Sequence, residues 1–302
     1  CFGKSFEDQK KYEQSYQFIK LANDSFNKNI DKNILKNEIL KFKNIKKIFN
    51  DANLYNPNSK DLYQKKIIFI VGLPRSGTTL VHQILSSADE TYGLGESIIF
   101  NKFFEKNIFD KDFILTLFNK KKMEKEIINI SKEMGKKYDS ITNKKILIDK
   151  MPPNFYWIGF IKMIFPNSKI IHIKRDIKDN SLSIYKNLFG TSDMDWSYNE
   201  TNIIKFIRNY RDVMNYWNHK YKNSIYEIKY ENLVNNKTEE TKKLFSYCDL
   251  EWSDKVFEFY KNAKTIRTVS INQVKKPIYQ SSVNNSSNYA SYTDFFSQLE
   301  NL

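Results

Sequence analysis

A short apolar run that leads directly into a glycine-containing turn limits the folds open to this chain. Lys66–Val71 (KIIFIV) is continuous rather than alternating, which is typical of a strand covered on both faces in a parallel sheet. Gly72–Thr79 and a helical segment through Leu85 follow at once. A strand–turn–helix unit of this kind brings free N–H groups and the positive end of a helix dipole together. The sequence therefore predicts an anion site within an α/β fold.

More strands and helices alternate along the rest of the chain. Short apolar runs at 146–148, 169–173 and 225–228 predict three further strands. Because strands that alternate with helices build parallel sheets, we expect a P-loop-type parallel sheet flanked by helices, with an N-terminal helical segment. The last thirty residues are rich in Ser, Asn and Tyr and are expected to be mostly irregular. The predicted helices cover about 98–119, 122–138, 155–164, 178–188, 200–222 and 238–247.

The N-terminal region has a helical pattern of its own. Residues 8–50 carry apolar side chains at three- and four-residue spacing, which predicts two amphipathic helices with a polar break near Asp31. Such a pair is the unit of a helical-repeat array, and it fits a simple hairpin covering the core equally well. The turn-rich stretch Asn50–Lys60 indicates a linker. We therefore expect a helical segment over 1–60 and a second domain over 61–302.

The chain is strongly basic, with 49 Lys and Arg residues against 35 Asp and Glu residues and a formal net charge of +14. Such a charge favours an anionic partner, but the lysines are scattered along predicted helices, where they would coat a solvated face. No basic motif interleaved with aromatic residues occurs, so nucleic-acid binding is not expected. No run of about 18 apolar residues occurs either, so no membrane span is expected.

Cysteine and histidine are scarce. The two cysteines, Cys1 and Cys248, are too few and too far apart for a disulfide framework, and three histidines offer no metal cluster. A reducing compartment fits this usage. Because no signal-peptide pattern occurs, we expect a bacterial cytoplasm rather than a secretory lumen.

The turn Gly72–Thr79 (GLPRSGTT) keeps the glycine spacing of the Walker A loop but lacks its lysine. Thr78 stands where that loop has the lysine that reaches the β- and γ-phosphates. A kinase or ATPase would also use an acidic Mg²⁺ ligand at a later strand end, for which Asp149 is the candidate. A P-loop phosphotransferase that uses a nucleoside triphosphate therefore remains an alternative.

The same turn resembles the 5′-phosphosulfate loop of sulfotransferases that use 3′-phosphoadenosine-5′-phosphosulfate (PAPS). Its Pro-Arg-Ser-Gly-Thr-Thr form is similar to tyrosylprotein sulfotransferases and to bacterial sulfotransferases linked to tetratricopeptide repeats. The resemblance extends over roughly residues 66–285. It implies PAPS as the sulfuryl donor, 3′,5′-ADP as the product and no metal. The loop residues that it assigns to the donor are Pro74, Arg75, Ser76, Gly77, Thr78 and Thr79.

A second segment resembles the family's 3′-phosphate site. The predicted strand at 169–173 runs into Arg175, and Ser183 follows eight residues later on a predicted helix. A guanidinium group can bind phosphate oxygens in a forked geometry, and a hydroxyl on the following helix would complete the site. The alternative for Arg175 is a salt bridge to Asp179 at the start of that helix.

A third segment, Ser270–Pro277 (SINQVKKP), resembles the family's Ser-x-x-Gln-Val-x-x-Pro stretch. The resemblance implies that Ser270 lies near the transferred group and the nucleotide. Beyond this stretch the family usually has a basic residue that covers the nucleotide, and Asn285 stands there in this chain. Tyr230 matches a family Tyr-Glu-x-Leu turn and is expected near the adenine, with a core position as the alternative.

The resemblance assigns the chemistry to three charged residues. Arg75 is permanently charged and is expected to stabilise the transferred and leaving groups. Glu96, 21 residues later, is expected to take the acceptor proton, although a glutamate there could instead stabilise a helix start. Lys150 matches the family's Lys-x-Pro element and is expected to contact the sulfuryl or bridging oxygen, with a solvated loop lysine as the alternative. His82, on the helix after the turn, is expected to be structural.

The acceptor is expected to present a hydroxyl group, from a protein tyrosine, a sugar or a small molecule. The N-terminal helices could form a homodimer or present a partner.

Beside the sulfotransferase and the P-loop phosphotransferase, a third hypothesis is a protein without catalytic activity. It would be a helical-repeat scaffold with an inactive transferase fold, which Asn285 mildly favours.

Overall fold

The computed structural model describes residues 2–28, 33–51, 59–261, 277–279 and 282–300. Within these residues the chain forms one parallel β-sheet with helices between the strands. None of the helices described is both long and apolar enough to span a bilayer. The predicted linker at 50–60 falls largely outside the described residues, and so does Ser270.

Five parallel strands make up the sheet, in the order β2-β3-β1-β4-β5. All four strands predicted from apolar runs are present, and the predicted α/β class is confirmed. The sheet also contains a strand that was not predicted, TYGLG, because two glycines and a polar start hide its apolar character. The strands are β1 (Lys66–Gly72), β2 (Thr91–Gly95), β3 (Ile146–Lys150), β4 (Lys169–Lys174) and β5 (Ile225–Lys229).

Thirteen α-helices occur within the described residues, together with short 3₁₀ segments. The stretch predicted as one helix over 98–119 is two helices, and a short helix precedes the two predicted at the N-terminus. The helices are α1 (Phe2–Asp8), α2 (Tyr12–Asn27), α3 (Ile34–Asp51), α4 (Thr78–Leu85), α5 (Ile98–Asn107), α6 (Lys111–Phe118), α7 (Lys120–Asp139), α8 (Ile158–Ile164), α9 (Ile177–Tyr185), α10 (Glu200–Lys220), α11 (Tyr230–Asn235), α12 (Lys237–Tyr247) and α13 (Phe295–Glu300).

Side-chain caps set where several of these helices begin. Asp110 accepts a hydrogen bond from the Phe113 N–H and starts α6, which divides the stretch predicted as a single helix. Asn119 does the same for α7, where it accepts from the Lys122 N–H. The prediction that the last thirty residues are mostly irregular is wrong for the described part, which holds a 3₁₀ helix at Asn285–Tyr292 and then α13.

The chain divides into two compact units. The larger contains residues 41–174 and 213–278, including the whole sheet, and the smaller contains 1–40, 175–212 and 279–302. The sequence predicted a boundary at residue 60, between a helical segment and a second domain. The two compact units do not follow that boundary, which stays a prediction.

In the larger unit, β1 is buried on both faces, as its continuous apolar sequence predicts. Alternate residues Ile68 and Ile70 face an aliphatic layer that includes α4 and α12. Phe69 faces the opposite layer, where its ring centroid lies 5.7 Å from that of Phe100 and 6.0 Å from that of Phe165. The layer that includes α4 and α12 is mostly aliphatic and contains Val81, Ile84, Ile148, Ile171, Ile228, Leu244 and Phe245.

The smaller unit is held by helix packing and by buried side-chain hydrogen bonds. Ser15 on α2 donates to the Gly3 carbonyl at 2.8 Å, which joins α2 to α1. Asn23 donates to the carbonyl of Tyr185, the last residue of α9, at 2.8 Å. Such bonds satisfy polar groups that would otherwise be buried without a partner.

Candidate active site

The turn Gly72–Thr79 has the backbone geometry of a loop that curls around a ligand. Gly72, Arg75 and Gly77 have φ angles of 155°, 66° and 103°. Gly77 caps the N-terminus of α4, whose first turn begins at Thr78. N–H groups in the first turn of a helix have no carbonyl partner within the helix and favour an anion there. The turn can therefore bind a phosphate or sulfate group.

Buried hydroxyl groups in the turn fit such a ligand. Ser76, Thr78 and Thr79 are each at most 4% exposed. Among the described residues, the Ser76 Oγ has no hydrogen-bond partner although it is buried. A buried hydroxyl without a partner costs free energy unless something supplies one. The Ser76 hydroxyl can therefore bond to an oxygen atom of a ligand in the turn, and the assignment of the turn to the phosphosulfate group stays a prediction.

The Tyr230 side chain lies against the turn, and its place near the adenine stays a prediction. It begins α11 directly after β5, and its side chain is 8% exposed. A Cβ atom at Gly77 would lie 2.5 Å from its ring. Gly77 is therefore required twice, for its left-handed φ and for the close approach of this ring.

A local irregularity in the sheet aligns two predicted catalytic residues, Glu96 just after β2 and Lys150 at the end of β3. Between Gly93 and Gly95 the register of β2 against β3 shifts by one, so Leu94 is an extra residue on β2. As a result, Glu96 after β2 comes level with Lys150 at the end of β3. The Lys150 ammonium group donates to the Glu96 carboxylate, and the two form an ion pair.

The two members of this pair differ sharply in exposure. The Lys150 side chain is 2% exposed and the Glu96 side chain is 39% exposed. Burial lowers the pKa of the Lys150 ammonium group, and the nearby Glu96 carboxylate opposes that shift. The alternative of a solvated loop lysine is therefore wrong for Lys150. The arrangement places a carboxylate that water can reach beside an enclosed cation.

His82 holds the segment that carries Glu96. Its Nε2 atom accepts a hydrogen bond from the Gly95 N–H at 3.2 Å, one residue before Glu96. Burial and the charge of Lys150 lower its pKa to about 3, so the ring is neutral and its Nε2 can accept. Gly93 leaves room for the ring, since a Cβ there would lie 2.7 Å from Nε2. The one signal of this role in the sequence is the position of His82 one helical turn after Thr78.

Asp149 does not offer the exposed carboxylate that a Mg²⁺-dependent phosphotransferase would use. It is fully buried, accepts from the Tyr138 hydroxyl at 2.8 Å and contacts the Asn154 amide at 3.4 Å. Burial raises its pKa to about 7, and the Tyr138 hydrogen bond opposes that shift. Among the described residues, no group of three or more His, Cys, Asp or Glu side chains is arranged to hold a metal ion.

The predicted 3′-phosphate residues lie in the smaller unit. Arg175 follows β4, and its Nη2 donates to the Ser282 carbonyl at 2.6 Å. Asp179 on α9 accepts from the N–H groups of Asn284 at 2.6 Å and of Ser286 at 2.7 Å. Ser183, also on α9, is half-buried. These contacts connect α9 to the segment that contains Asn285.

Comparison with known proteins supports one family. A protein of Aquifex aeolicus (strain VF5) that carries no functional name is 29% identical over 302 residues, which cover 96% of this chain but only 39% of that protein. A putative protein-tyrosine sulfotransferase of Caenorhabditis briggsae is 23% identical over 202 residues, covering 65% of this chain and 70% of the relative. The chain therefore spans about two fifths of the first of these relatives.

The fold has a solved counterpart. The sulfotransferase domain of the Synechococcus PCC 7002 olefin synthase superposes with a TM-score of 0.55 at 15% identity, covering 83% of this chain and 96% of that domain. The profile of the sulfotransferase family matches residues 68–254, more than half of the chain and a range that includes the turn, Glu96, Lys150 and Arg175. The chain belongs to the sulfotransferase family.

Proposed function

We propose that the chain transfers a sulfuryl group from PAPS to an acceptor hydroxyl, with Glu96 as the base. The contact between Glu96 and Lys150 carries the proposal, because it joins an accessible carboxylate to a buried cation in the unit that contains the anion-binding turn. A base must be reachable by the acceptor, and a stabilising cation is most effective where water is excluded.

Each residue has one task in this proposal. Glu96 takes the proton as the acceptor oxygen bonds to sulfur, which is worth about 10²–10⁴ in rate. Arg75 stabilises the charge on the transferred and leaving groups, and Lys150 neutralises charge at the bridging oxygen. PAPS supplies the sulfuryl group, whose bond to the phosphate oxygen breaks to leave 3′,5′-ADP.

The donor contacts are proposed from the family resemblance and from the fit of the turn. The main-chain N–H groups of the turn and the buried hydroxyls of Ser76, Thr78 and Thr79 would bind the 5′-phosphosulfate. Arg175 and Ser183 would bind the 3′-phosphate, and Tyr230 would lie near the adenine. Ser270 lies outside the described residues, and its role near the transferred group stays a prediction.

Transfer of labelled sulfate from PAPS to a panel of hydroxyl compounds tests the proposal. Glu96→Gln should lower kcat by about 10²–10⁴ while 3′,5′-ADP binding persists. Glu133→Gln, on the exposed face of α7, is the matched control and should keep full activity. Saturation with 3′,5′-ADP at about 100 times its Kd should stabilise the fold by about 2.7 kcal/mol, whereas ATP–Mg²⁺ should not. Stabilisation by ATP–Mg²⁺ alone would favour the phosphotransferase, and no response to either nucleotide would favour the inactive scaffold.

A further inference from the structure

A cavity of about 510 Å³ opens in the larger unit, at the edge of the sheet where the strands begin. Its walls include Lys66 and Lys169, the first residues of β1 and β4, and the turns that precede β4 and β5. The turn Gly72–Thr79, Glu96 and Lys150 lie at the opposite edge, where the same parallel strands end. β1 has seven residues, so the two edges are about 20 Å apart. The cavity is therefore separate from the proposed donor site.

Positive charge predominates in the walls of this cavity. Among the described residues that line it, three are lysines and one is an aspartate. Lys66 and Lys169 both pair with Oδ2 of Asp249, each at 3.1 Å. The hydrogen bond of the Lys162 ammonium group goes instead to the Ser168 carbonyl, at 3.1 Å. One carboxylate thus serves two of the three ammonium groups, and the walls have an excess of positive charge.

Lys162, on α8, is the lysine that an anion would stabilise most. Burial and the charge of Lys169 lower its pKa to about 8, because a positive charge is costly where water is partly excluded. An oxyanion beside the ammonium group would offset both effects. The titratable groups that share the cavity with it are Lys66, Lys169, Tyr247 and Asp249.

Neutral hydrogen-bond donors line the same cavity. Ser168 is 4% exposed, and among the described residues its Oγ has no hydrogen-bond partner. Asn223 and Ser224 add an amide and a hydroxyl group from the turn before β5. Ammonium, amide and hydroxyl groups are the donors from which phosphate and sulfate oxygens accept hydrogen bonds. The volume is that of a small-molecule site rather than of a bare ion.

Helix ends set a limit on the affinity. The helices α8, α10 and α12 all end close to the residues that line the cavity, and the carbonyl end of a helix carries about half a negative charge. Lys66 donates to one such carbonyl, that of Cys248, at 3.2 Å. An ammonium group has three N–H donors, so this bond leaves others for a ligand. Because the helix ends offset part of the positive charge, we expect millimolar rather than tight binding.

We infer that this cavity is a second anion site, which binds a free oxyanion or the phosphate group of a small polar molecule through Lys162, Lys169 and Ser168. The inference goes beyond the proposed function and does not depend on it, because none of these residues belongs to the proposed donor or catalytic site.

Titration with sulfate and with ribose 5-phosphate tests the inference, with chloride at equal ionic strength as the reference. Amide chemical shifts measured by NMR separate the two anion sites of the chain. The amides of residues 167–169 and 223–224 report on this cavity, and those of residues 72–79 report on the turn. The charge of sulfate is constant between pH 7 and pH 9, so a change in its affinity reports on the protein.

Two substitutions should change the affinity in opposite directions. Asp249→Asn removes the one negative side chain from the cavity walls that the structure describes and should tighten sulfate binding at least about threefold. Asp249 has a φ of 52°, which asparagine adopts readily, and a gain in affinity cannot come from a folding defect. Lys162→Met should weaken binding at least about threefold. Lys137→Met, on the exposed face of α7, removes the same charge outside the cavity and should change nothing.

The pH dependence adds a second check. Lys162 loses most of its charge between pH 7 and pH 9, so sulfate affinity should fall over this range in the parent protein and stay nearly constant in Lys162→Met. Tighter binding of ribose 5-phosphate than of sulfate would identify a phosphorylated small molecule as the ligand, and equal binding would identify the free oxyanion. The inference is wrong if sulfate shifts only the amides of residues 72–79, if chloride has the same effect, or if Asp249→Asn fails to tighten binding.

Discussion

Two substitutions that break the same ion pair should have unequal effects on stability. Glu96→Gln leaves the Lys150 ammonium group without its partner at a position where the side chain is 2% exposed. Lys150→Met leaves the Glu96 carboxylate, which is 39% exposed and keeps its water. Removing one member of a buried pair is costly chiefly when the charge left behind is enclosed. We therefore expect Glu96→Gln to be the more destabilising change.

The size of the effect follows from the chemistry of lysine. The ordinary pKa of the group is 10.5, so deprotonating it at pH 7 costs about 3.5 × 1.36, or about 5 kcal/mol. The destabilisation caused by an unpaired Lys150 cannot exceed this value, because the buried ammonium group can become neutral by losing its proton. Asp149, whose pKa is raised to about 7, is partly ionised nearby and offsets some of this cost. We expect a loss of about 2–4 kcal/mol for Glu96→Gln and a change within about 1 kcal/mol for Lys150→Met.

The destabilisation should depend on pH with a definite sign. In Glu96→Gln the folded-state pKa of Lys150 falls further below its unfolded value of 10.5. Between that lowered pKa and pH 10.5 the unfolded chain binds more protons than the folded chain, so the variant gains stability as pH rises through this window. Its deficit relative to the parent protein should shrink between pH 7 and pH 9, by up to about 1.4 kcal/mol per pH unit.

Urea unfolding at pH 7 and pH 9 measures both effects. Glu133→Gln is the control, because Glu133 pairs with Lys137 on the surface of α7 with both side chains at least half exposed, and it should change stability by less than about 0.5 kcal/mol. The reasoning would be refuted if Lys150→Met proved more destabilising than Glu96→Gln, or if the deficit of Glu96→Gln were the same at both pH values.

Three further substitutions probe the turn, the bend before the base and the smaller unit. Gly77→Ala should weaken 3′,5′-ADP binding at least about tenfold in calorimetry, because the new Cβ would lie 2.5 Å from the Tyr230 ring. Gly190→Ala is its control and should leave the affinity unchanged, because a Cβ there meets nothing within 4 Å. His82→Leu removes the acceptor of the Gly95 N–H and should lower kcat about tenfold at constant nucleotide affinity, while His82→Gln, which can still accept, should restore most of the rate. Asp179→Ala removes the acceptor of two main-chain N–H groups and should destabilise the smaller unit by about 2–4 kcal/mol, visible as faster hydrogen exchange at residues 284–286.

The parts of the fold that were predictable have a strong local signal. A continuous apolar run such as Lys66–Val71 can be satisfied only by burial on both faces, so β1, β3, β4 and β5 were identified correctly. β2 was missed because Gly93 and Gly95 break the apolar pattern. Gly93 leaves room for the His82 ring, and Gly95 has a left-handed φ of 71° that favours glycine. The local sequence pattern shows these glycines but not the contacts and backbone angles in the fold that require them.

The candidate site was predictable residue by residue, but its connections were not. The turn, Glu96 and Lys150 were each singled out because their short motifs resemble those of a known family. The ion pair between Glu96 and Lys150 depends on the register of two strands about fifty residues apart, which no local pattern records. The enclosure of Asp149 by Tyr138 likewise depends on how α7 packs against the sheet.

The extra residue at Leu94 marks a point where β2 can change in both sequence and length without separating the base from the cation. Replacing this leucine by another residue leaves the main-chain path intact, so the carboxylate and the ammonium group still meet. Removing it would restore a regular ladder in which Gly95 still lies opposite Asp149, whereas one residue inserted between Gly95 and Glu96 would move the glutamate along the strand and turn its side chain to the other face of the sheet. Evolution within such a scaffold can therefore vary β2 at Leu94, while insertions after Gly95 are expected to abolish the chemistry.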